Sequence, residues 1–309
     1  MRVFRGISAP LPQATALTIG NFDGVHRGHR ALLERLVQKA QAQSLVPTVL
    51  TFEPHPREFF APESAPQRLS TLREKLELLA ECGVAQGVVL PFNARMAGLT
   101  AEAFIQTVLL EKLQCRYLVI GDDFRFGAKR QGDFGLLSDR LRAVGGEVEA
   151  IAEVCAEGER AASSRIRAAL AEGQMDLAAT LLGRPYRMDG RVITGQRLGR
   201  TLGFPTANIY IRHSPLPLSG VFAVQVEGAA GQVVNGVANL GVRPTVGGGL
   251  RPLLEVHLFD FSGDIYGRHL QVSFLKKLRV EQKFPNLDAL KAQIALDAQA
   301  ARDFFAAMP

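Results

Sequence analysis

The sequence predicts an α/β chain in two parts: a Rossmann-like domain built on a parallel sheet, then a small antiparallel β-barrel with a C-terminal helix. Three observations predict it. Apolar runs alternate with helical periods as far as about Leu182, the signature of parallel strands covered by helices on both faces. Beyond Gly183-Arg184-Pro185, short alternating segments separated by glycines and prolines replace that pattern, as a small barrel requires. The last stretch, Asn286 to Phe305, returns to a 3.6-residue period through Leu287, Leu290, Ile294, Ala298 and Arg302. These patterns place the domains at residues 1–184 and 185–309.

In order along the first domain, Leu17-Thr18-Ile19 reads as the end of a buried strand, and Arg30 to Ala42 places Leu32, Leu33, Leu36, Val37 and Ala40 at helical spacing. Val46 to Phe52 is a strand. Thr71 with Glu74 resembles a capping box ahead of Leu72, Leu76 and Leu79. Val88 to Leu90 is a strand, Thr100 caps a helix to about Leu113, and Tyr117 to Ile120 and Gly146 to Ile151 are strands. In the second domain Val221 to Val226, Val233 to Leu240, Leu253 to Phe261 and Leu270 to Leu278 are barrel strands.

The 309 residues are 47% hydrophobic and 21% charged, enough for each half to bury a core. The net charge is +6, but the basic residues are scattered and tryptophan is absent, which favours small anionic ligands over nucleic acid. Cys82, Cys115 and Cys155 form no CxxC pair and read as thiols in a reducing compartment. With no signal peptide and no apolar run of membrane-spanning length, the expected location is the cytoplasm, with no membrane partner. Oligomeric state is left open, a homo-oligomer included.

Several segments carry chemistry. Gly20-Asn21-Phe22-Asp23-Gly24-Val25-His26-Arg27-Gly28-His29 follows a strand and opens a helix. Free N–H groups at a helix start suit phosphate, and His26 and His29, three apart, can reach one ligand and donate to oxygens that gain charge in a transition state. The alternative is that both imidazoles pack or cap. Gly121 to Gly127, with Asp122, Asp123, Phe124 and Arg125, could hold a flat, charged ligand; a charged loop over folded aromatics is the other reading. Ser163-Ser164-Arg165-Ile166-Arg167 is a second anion site at a helix start, or Ser164 is a plain N-cap. In the second domain no P-loop occurs. The Gly-rich basic loop with Gly195, Gly199 and Gly203 offers backbone N–H groups to phosphate. Thr206 and Asn208 follow, two apart, with hard oxygen atoms suited to Mg²⁺; an ordinary turn and strand would look the same. In the strand Leu253 to Phe261, Leu254, Val256 and Leu258 share the barrel face and Glu255, His257 and Phe259 the other, so Glu255 is outward and would by itself be a solvated carboxylate. Arg279, Glu281, Lys283 and Phe284 read as a lid or as surface charge.

Together the Gly20–His29 segment, Thr51-Phe52-Glu53-Pro54-His55-Pro56, Gly121–Gly127, Ser163–Arg167, Gly199 to Asn208, Gly236 to Thr245 and Glu255 to Phe261 resemble the prokaryotic bifunctional riboflavin kinase/FMN adenylyltransferases (FAD synthetases), whose first domain is an HxGH nucleotidyltransferase. The one departure is Ser163-Ser164, where the family usually has Ser-Thr. The resemblance implies phosphorylation of riboflavin to FMN and adenylylation of FMN to FAD, with ATP as co-substrate and Mg²⁺. It implies that Gly20, Asn21, Asp23, His26, His29, Ser163, Ser164 and Arg167 bind ATP in the adenylyltransferase, and that Asp123, Phe124 and Arg125 lie near FMN. In the kinase it implies ATP at Gly195, Gly199, Gly203, Thr206 and Asn208, metal at Thr206 and Asn208, flavin at Arg279 and Phe284, and Glu255 as general base. The competing reading is an HxGH transferase with another acceptor and a barrel that binds flavin without catalysis.

Overall fold

The computed structural model describes residues 1–152, 155–156, 159–194, 203–211, 215–244 and 250–308. For residues 155–156, 159–160, 242–244 and 250–251 it describes the backbone alone, which leaves the Cys155 side chain outside. Contacts divide the chain into one unit of Met1–Pro66 with Leu72–Ala161 and another of Gln67–Thr71 with Ala162–Pro309.

The first unit carries β1 (Arg2–Arg5), β2 (Thr15–Ile19), β3 (Val46–Glu53), β4 (Gln86–Pro91), β5 (Cys115–Gly121) and β6 (Glu147–Ile151), with helices α1 (Arg27–Ala42) and α2 (Leu72–Glu81). The sheet order is β1-β4-β3-β2-β5-β6 and every neighbouring pair is parallel, as predicted. Alternate residues of the central strands enter different layers, following the two-residue period of a strand. Leu17, Ile19, Leu118 and Ile120 pack in one cluster, whereas Ala16, Tyr117 and Val119 pack in the other against Leu33 and Leu36 of α1. Thr100 caps the next helix by accepting from Ala103 N–H at 3.1 Å. After Ala101–Ala103 this helix widens to π geometry over Phe104–Lys112, and Leu113 N–H donates to Val108 O at 2.9 Å. Cys115 is buried, and burial pushes its thiol up to about 12, so it stays protonated and inert near neutrality.

The second unit contains α3 (Ser163–Glu172), α4 (Met175–Leu182), strands β7 (Tyr186–Ile193), β8 (Ala207–Tyr210), β9 (Gly220–Glu227), β10 (Val234–Pro244), β11 (Leu250–Leu258) and β12 (His269–Arg279), and α5 (Leu287–Ala306). The strands close as β8-β11-β10-β9-β12-β7, all antiparallel. Leu254, Val256, Phe222, Val224 and Phe274 fill the interior. Part of the outer face is also dry, because α5 covers it: Val221, Ala223, Val237 and Phe259 pack with Ala298 and Ala301. That cover explains why Gly220 to Val224 is buried without alternation, and why Phe259, predicted to face outward, is only 6% exposed. Among the described residues, no helix is long and apolar enough to cross a membrane.

Phe222 is fully buried and meets Phe274 edge to face at 5.3 Å. Phe222→Ala should therefore cost about 3–5 kcal/mol of barrel stability, read from urea unfolding of the full-length protein followed by far-UV circular dichroism.

Candidate functional site

In the first unit the chain runs outward from β2 to β3 on one side and reaches β5 on the other, so the crevice at the carboxyl ends of β2 and β5 is the topological switch point. The turn after β2 is conformationally costly. Phe22 (φ 48°), Gly24 (φ 80°) and Val25 (φ 42°) all occupy the left-handed region, which is unfavourable for side-chain-bearing residues, and for β-branched ones above all. Gly24 carries no such penalty. Complete burial of Phe22 and Val25 in the α1 layer offsets the cost at the other two. The turn delivers His26 to the N-cap of α1, where its Nδ1 accepts from His29 N–H at 3.3 Å. His29, one turn in, stacks on it with ring centroids 3.6 Å apart and planes 18° from parallel. Gly28 leaves room for this stack. A Cβ there would lie 3.2 Å from the His26 ring and 3.3 Å from Ala161 O.

His26 caps the helix, and the stacked pair also presents two imidazoles at one helix start. Burial, then the nearby His26 and Lys75, holds the His29 pKa well below the ordinary imidazole value. His29 is neutral near pH 7, and its enclosed Nδ1 has no hydrogen-bond partner. Asp23 is buried beside them in the sequence, at 8% exposure.

The same end of the sheet opens into a cavity of about 780 Å³, within the range of small-molecule sites. Gly20 and Asn21 line it from the turn after β2, Phe52 from β3, His55 from just beyond β3, Phe92 from just beyond β4, and Phe124 to Arg130 from the loop after β5. Phe124 stacks on Phe126 at 5.7 Å, and Phe52, Phe59 and Phe60 each meet Phe92 edge to face at 5.6 Å. Apolar aromatic walls with Arg57, Arg125, Lys129 and Arg130 among the lining suit a flat ring system bearing a phosphate. Of the predicted flavin residues, Phe124 and Arg125 line the cavity. Asp123 stands exposed on the loop outside the lining. Phe52, Phe60 and Phe92 are spread too far along the sequence to announce a shared site, although Phe52 lies in the Thr51–Pro56 motif and Phe59-Phe60 is an aromatic pair.

Ser163, Ser164 and Arg167 belong to the second unit. Ala162, not Ser164, is the N-cap of α3, so the plain-cap alternative does not apply; both serines sit in its first turn. Arg167 donates to Gln67 O.

In the barrel, register arranges the predicted kinase residues. Asn208 pairs with Glu255, Glu255 with Asn239, Asn239 with Val221, and Val221 with Arg279. Directly opposed residues of antiparallel strands share a face, so these five form one lateral row on the outer surface. Thr206 lies just before β8, not within it. His257, on the same face of β11 as Glu255, holds this segment: its Nδ1 lies 2.9 Å from Pro205 O, and its ring meets Phe204 edge to face at 5.4 Å. Arg279 donates to Asp297 Oδ1 (2.8 Å) and Oδ2 (2.7 Å) on α5 and lies 5.7 Å from the centre of the Phe284 ring. Arg279 and Phe284, the predicted flavin residues of the kinase, are thus brought together, and Asp297, 5% exposed, fixes one of them. Gly203 takes φ 87° in the turn before this segment; Gly195 and Gly199 lie outside the described residues. The Thr206 hydroxyl and the Asn208 amide oxygen, the latter residue buried, fit a Mg²⁺ ion that takes its remaining oxygens from phosphate and water.

The FAD synthetase family model matches residues 8–165 and the riboflavin kinase family model residues 182–305. The bifunctional riboflavin kinase/FMN adenylyltransferase of Escherichia coli K12 is 49% identical over 308 residues, covering 99% of this chain and 98% of that protein. This chain belongs to that family. The protein of the same description from Haemophilus influenzae is 47% identical and covers 99% of both chains; that from Pseudomonas fluorescens is 47% identical over 304 residues, 98% of this chain and 97% of its own. Among solved structures, the one described as a macrolide-efflux protein from Streptococcus pneumoniae superposes with a TM-score of 0.82 at 30% identity, over 98% of this chain and 99% of that one. Both family domains, in the predicted order, are present.

Two predictions follow from the histidine stack. Helix propensity alone would make Gly28→Ala stabilising by about 1 kcal/mol; the contacts with His26 and Ala161 should cancel that gain and displace His26, seen as an unimproved melting temperature and slower AMP transfer. An unfolded histidine titrates near 6.5. Below that pH the unfolded chain takes a proton that folded His29 refuses, so stability is full above 6.5 and falls with acidification. His29→Gln should flatten the fall between pH 7 and 5.5 in denaturant midpoints.

Proposed function

We propose that this protein phosphorylates the 5′-hydroxyl of riboflavin and then transfers AMP from a second ATP to FMN, giving FAD and pyrophosphate. Residues 185–309 are assigned the first reaction and residues 1–184 the second, in the cytoplasm. The observation that carries the reading is the barrel row. It sets a carboxylate, Glu255, next to a buried oxygen donor, Asn208, and ends at an arginine anchored beside an aromatic ring.

In the kinase, the Glu255 carboxylate takes the proton of the 5′-hydroxyl as its oxygen bonds to the γ-phosphorus. The bond from that phosphorus to the β–γ bridging oxygen breaks, and ADP leaves. Thr206 and Asn208 would hold Mg²⁺, which when bound would draw off negative charge from the transferring phosphoryl group. Gly195, Gly199 and Gly203 cradle phosphate through their N–H groups. Arg279 and Phe284 hold the isoalloxazine, with His257 fixing the Pro205-Thr206 segment beside the base.

In the adenylyltransferase, an FMN phosphate oxygen attacks the α-phosphorus in line and the bond to pyrophosphate breaks, with no protein nucleophile. His26 and the neutral His29 donate to phosphate oxygens as charge builds there, from positions already fixed by the stack. Gly20, Asn21 and Asp23 shape the approach; Ser163, Ser164 and Arg167 enter as triphosphate-binding groups on the family resemblance. The aromatic cavity takes the flavin ring, with Phe124 on its wall and Arg125 near the phosphate. Asp123 is assigned to the FMN neighbourhood on the resemblance alone.

Incubation of the pure protein with riboflavin, ATP and Mg²⁺ should yield FMN and then FAD by chromatography; FMN without FAD would overturn the assignment of the first domain. Glu255→Ala should lower riboflavin phosphorylation by roughly 10²–10⁴-fold and still convert supplied FMN to FAD, whereas His29→Ala should do the reverse. A Glu255→Ala variant that phosphorylates riboflavin at the wild-type rate removes the base from the mechanism.

A further inference from the structure

Between the proposed base and the proposed flavin anchor, the barrel row contains two more residues, Asn239 and Val221. Neighbouring strands are about 4.8 Å apart, so Glu255 and Arg279 are separated by about 14 Å along the barrel surface. A riboflavin whose 5′-hydroxyl meets Glu255 and whose ring meets Arg279 must carry its ribityl chain across β10, because α5 already covers β9 at Val221. Val221, 4% exposed, is packed with α5 and offers no hydrogen bond. Along the outer face of β10, Val237 is likewise covered by α5, and Gly241 has no side chain. Among the described side chains, Asn239 is therefore the polar one that β10 contributes to this row, half-buried and directly opposed to Glu255. A carboxamide carries two donors and an acceptor, so it can serve hydroxyls that both give and take hydrogen bonds.

We infer that Asn239 is a substrate-positioning residue of the kinase, whose carboxamide binds the ribityl hydroxyls and so sets the reacting hydroxyl against Glu255. The ligand feature it reads is the polyol chain, not the ring and not the nucleotide. This rests on the assignment of Glu255 and Arg279 given above.

The test is steady-state kinase kinetics of the full-length protein, following FMN plus FAD formed, with lumiflavin as a competitive inhibitor against riboflavin. Lumiflavin has the ring without the ribityl chain. Asn239→Ala should raise the riboflavin KM about tenfold, the loss of roughly one hydrogen bond, with the ATP KM, the lumiflavin inhibition constant and the melting temperature unchanged. Asn239→Thr, a good strand former, serves as a second variant should alanine lower the melting temperature; its hydroxyl should restore part of the affinity. An unchanged riboflavin KM, or an equal weakening of riboflavin and lumiflavin, overturns the inference. Arg279→Ala tests the underlying reading separately, because it should weaken lumiflavin. If it does not, the ring does not lie at Arg279, and the track over Asn239 falls with it.

Discussion

Strand register in the barrel is the constraint on which the kinase half depends. Asn208, Glu255, Asn239 and Arg279 come from four different strands, and nothing in their sequence spacing brings them together. Antiparallel pairing does so through one lateral row. A slip of one residue between β10 and β11 would turn Glu255 into the interior and Leu254 out to solvent. The apolar alternation of Leu254, Val256 and Leu258 is thus what aims the carboxylate, and core packing and catalysis are specified by the same residues.

The first unit uses a different device. Its chemistry sits where a parallel sheet changes direction, and a strained turn there lifts two imidazoles onto a helix start. Strain at Phe22 and Val25 is tolerated because both side chains are wholly buried. The burial that supports the turn also removes water from His29 and keeps it neutral. A neutral donor costs less to bury than a charged one and still binds a phosphate oxygen that is gaining charge. Fold stability and proton affinity at this site are consequently linked.

Much of this was legible in the sequence, for physical reasons that vary by element. The parallel strands announced themselves as apolar runs because helices cover both faces, and the motif from Gly20 to His29 stood directly between a strand and a helix. The barrel strand Leu253 to Phe261 showed its two faces by alternation. Tyr186–Ile193 passed unnoticed because its polar residues, Arg187, Asp189 and Arg191, break the apolar signal while Tyr186, Met188 and Val192 still face inward. The Phe104–Lys112 segment was visible as helix but not as π geometry, which a hydrophobic period near 3.6 does not distinguish. The spacing places Thr206 in a strand, whereas it lies just ahead of β8, in a segment that His257 holds through Phe204 and Pro205. Phe52 of β3, Phe60 at the end of the short helix Pro56–Phe60 and Phe92 just beyond β4 converge on one cavity, and Asp297 of α5 reaches Arg279 of β12, relations that only tertiary structure supplies.

The claim underlying all of this is that riboflavin lies along the outer row of the barrel, polyol toward Glu255 and ring toward Arg279. A crystal structure of the protein with riboflavin, Mg²⁺ and a non-hydrolysable ATP analogue measures it most directly. The account predicts the 5′-hydroxyl within hydrogen-bonding distance of the Glu255 carboxylate, the γ-phosphate on the Thr206–Asn208 side, and the isoalloxazine against Arg279 and Phe284. Flavin bound to the barrel in any other place, with Glu255 left in solvent, would contradict it.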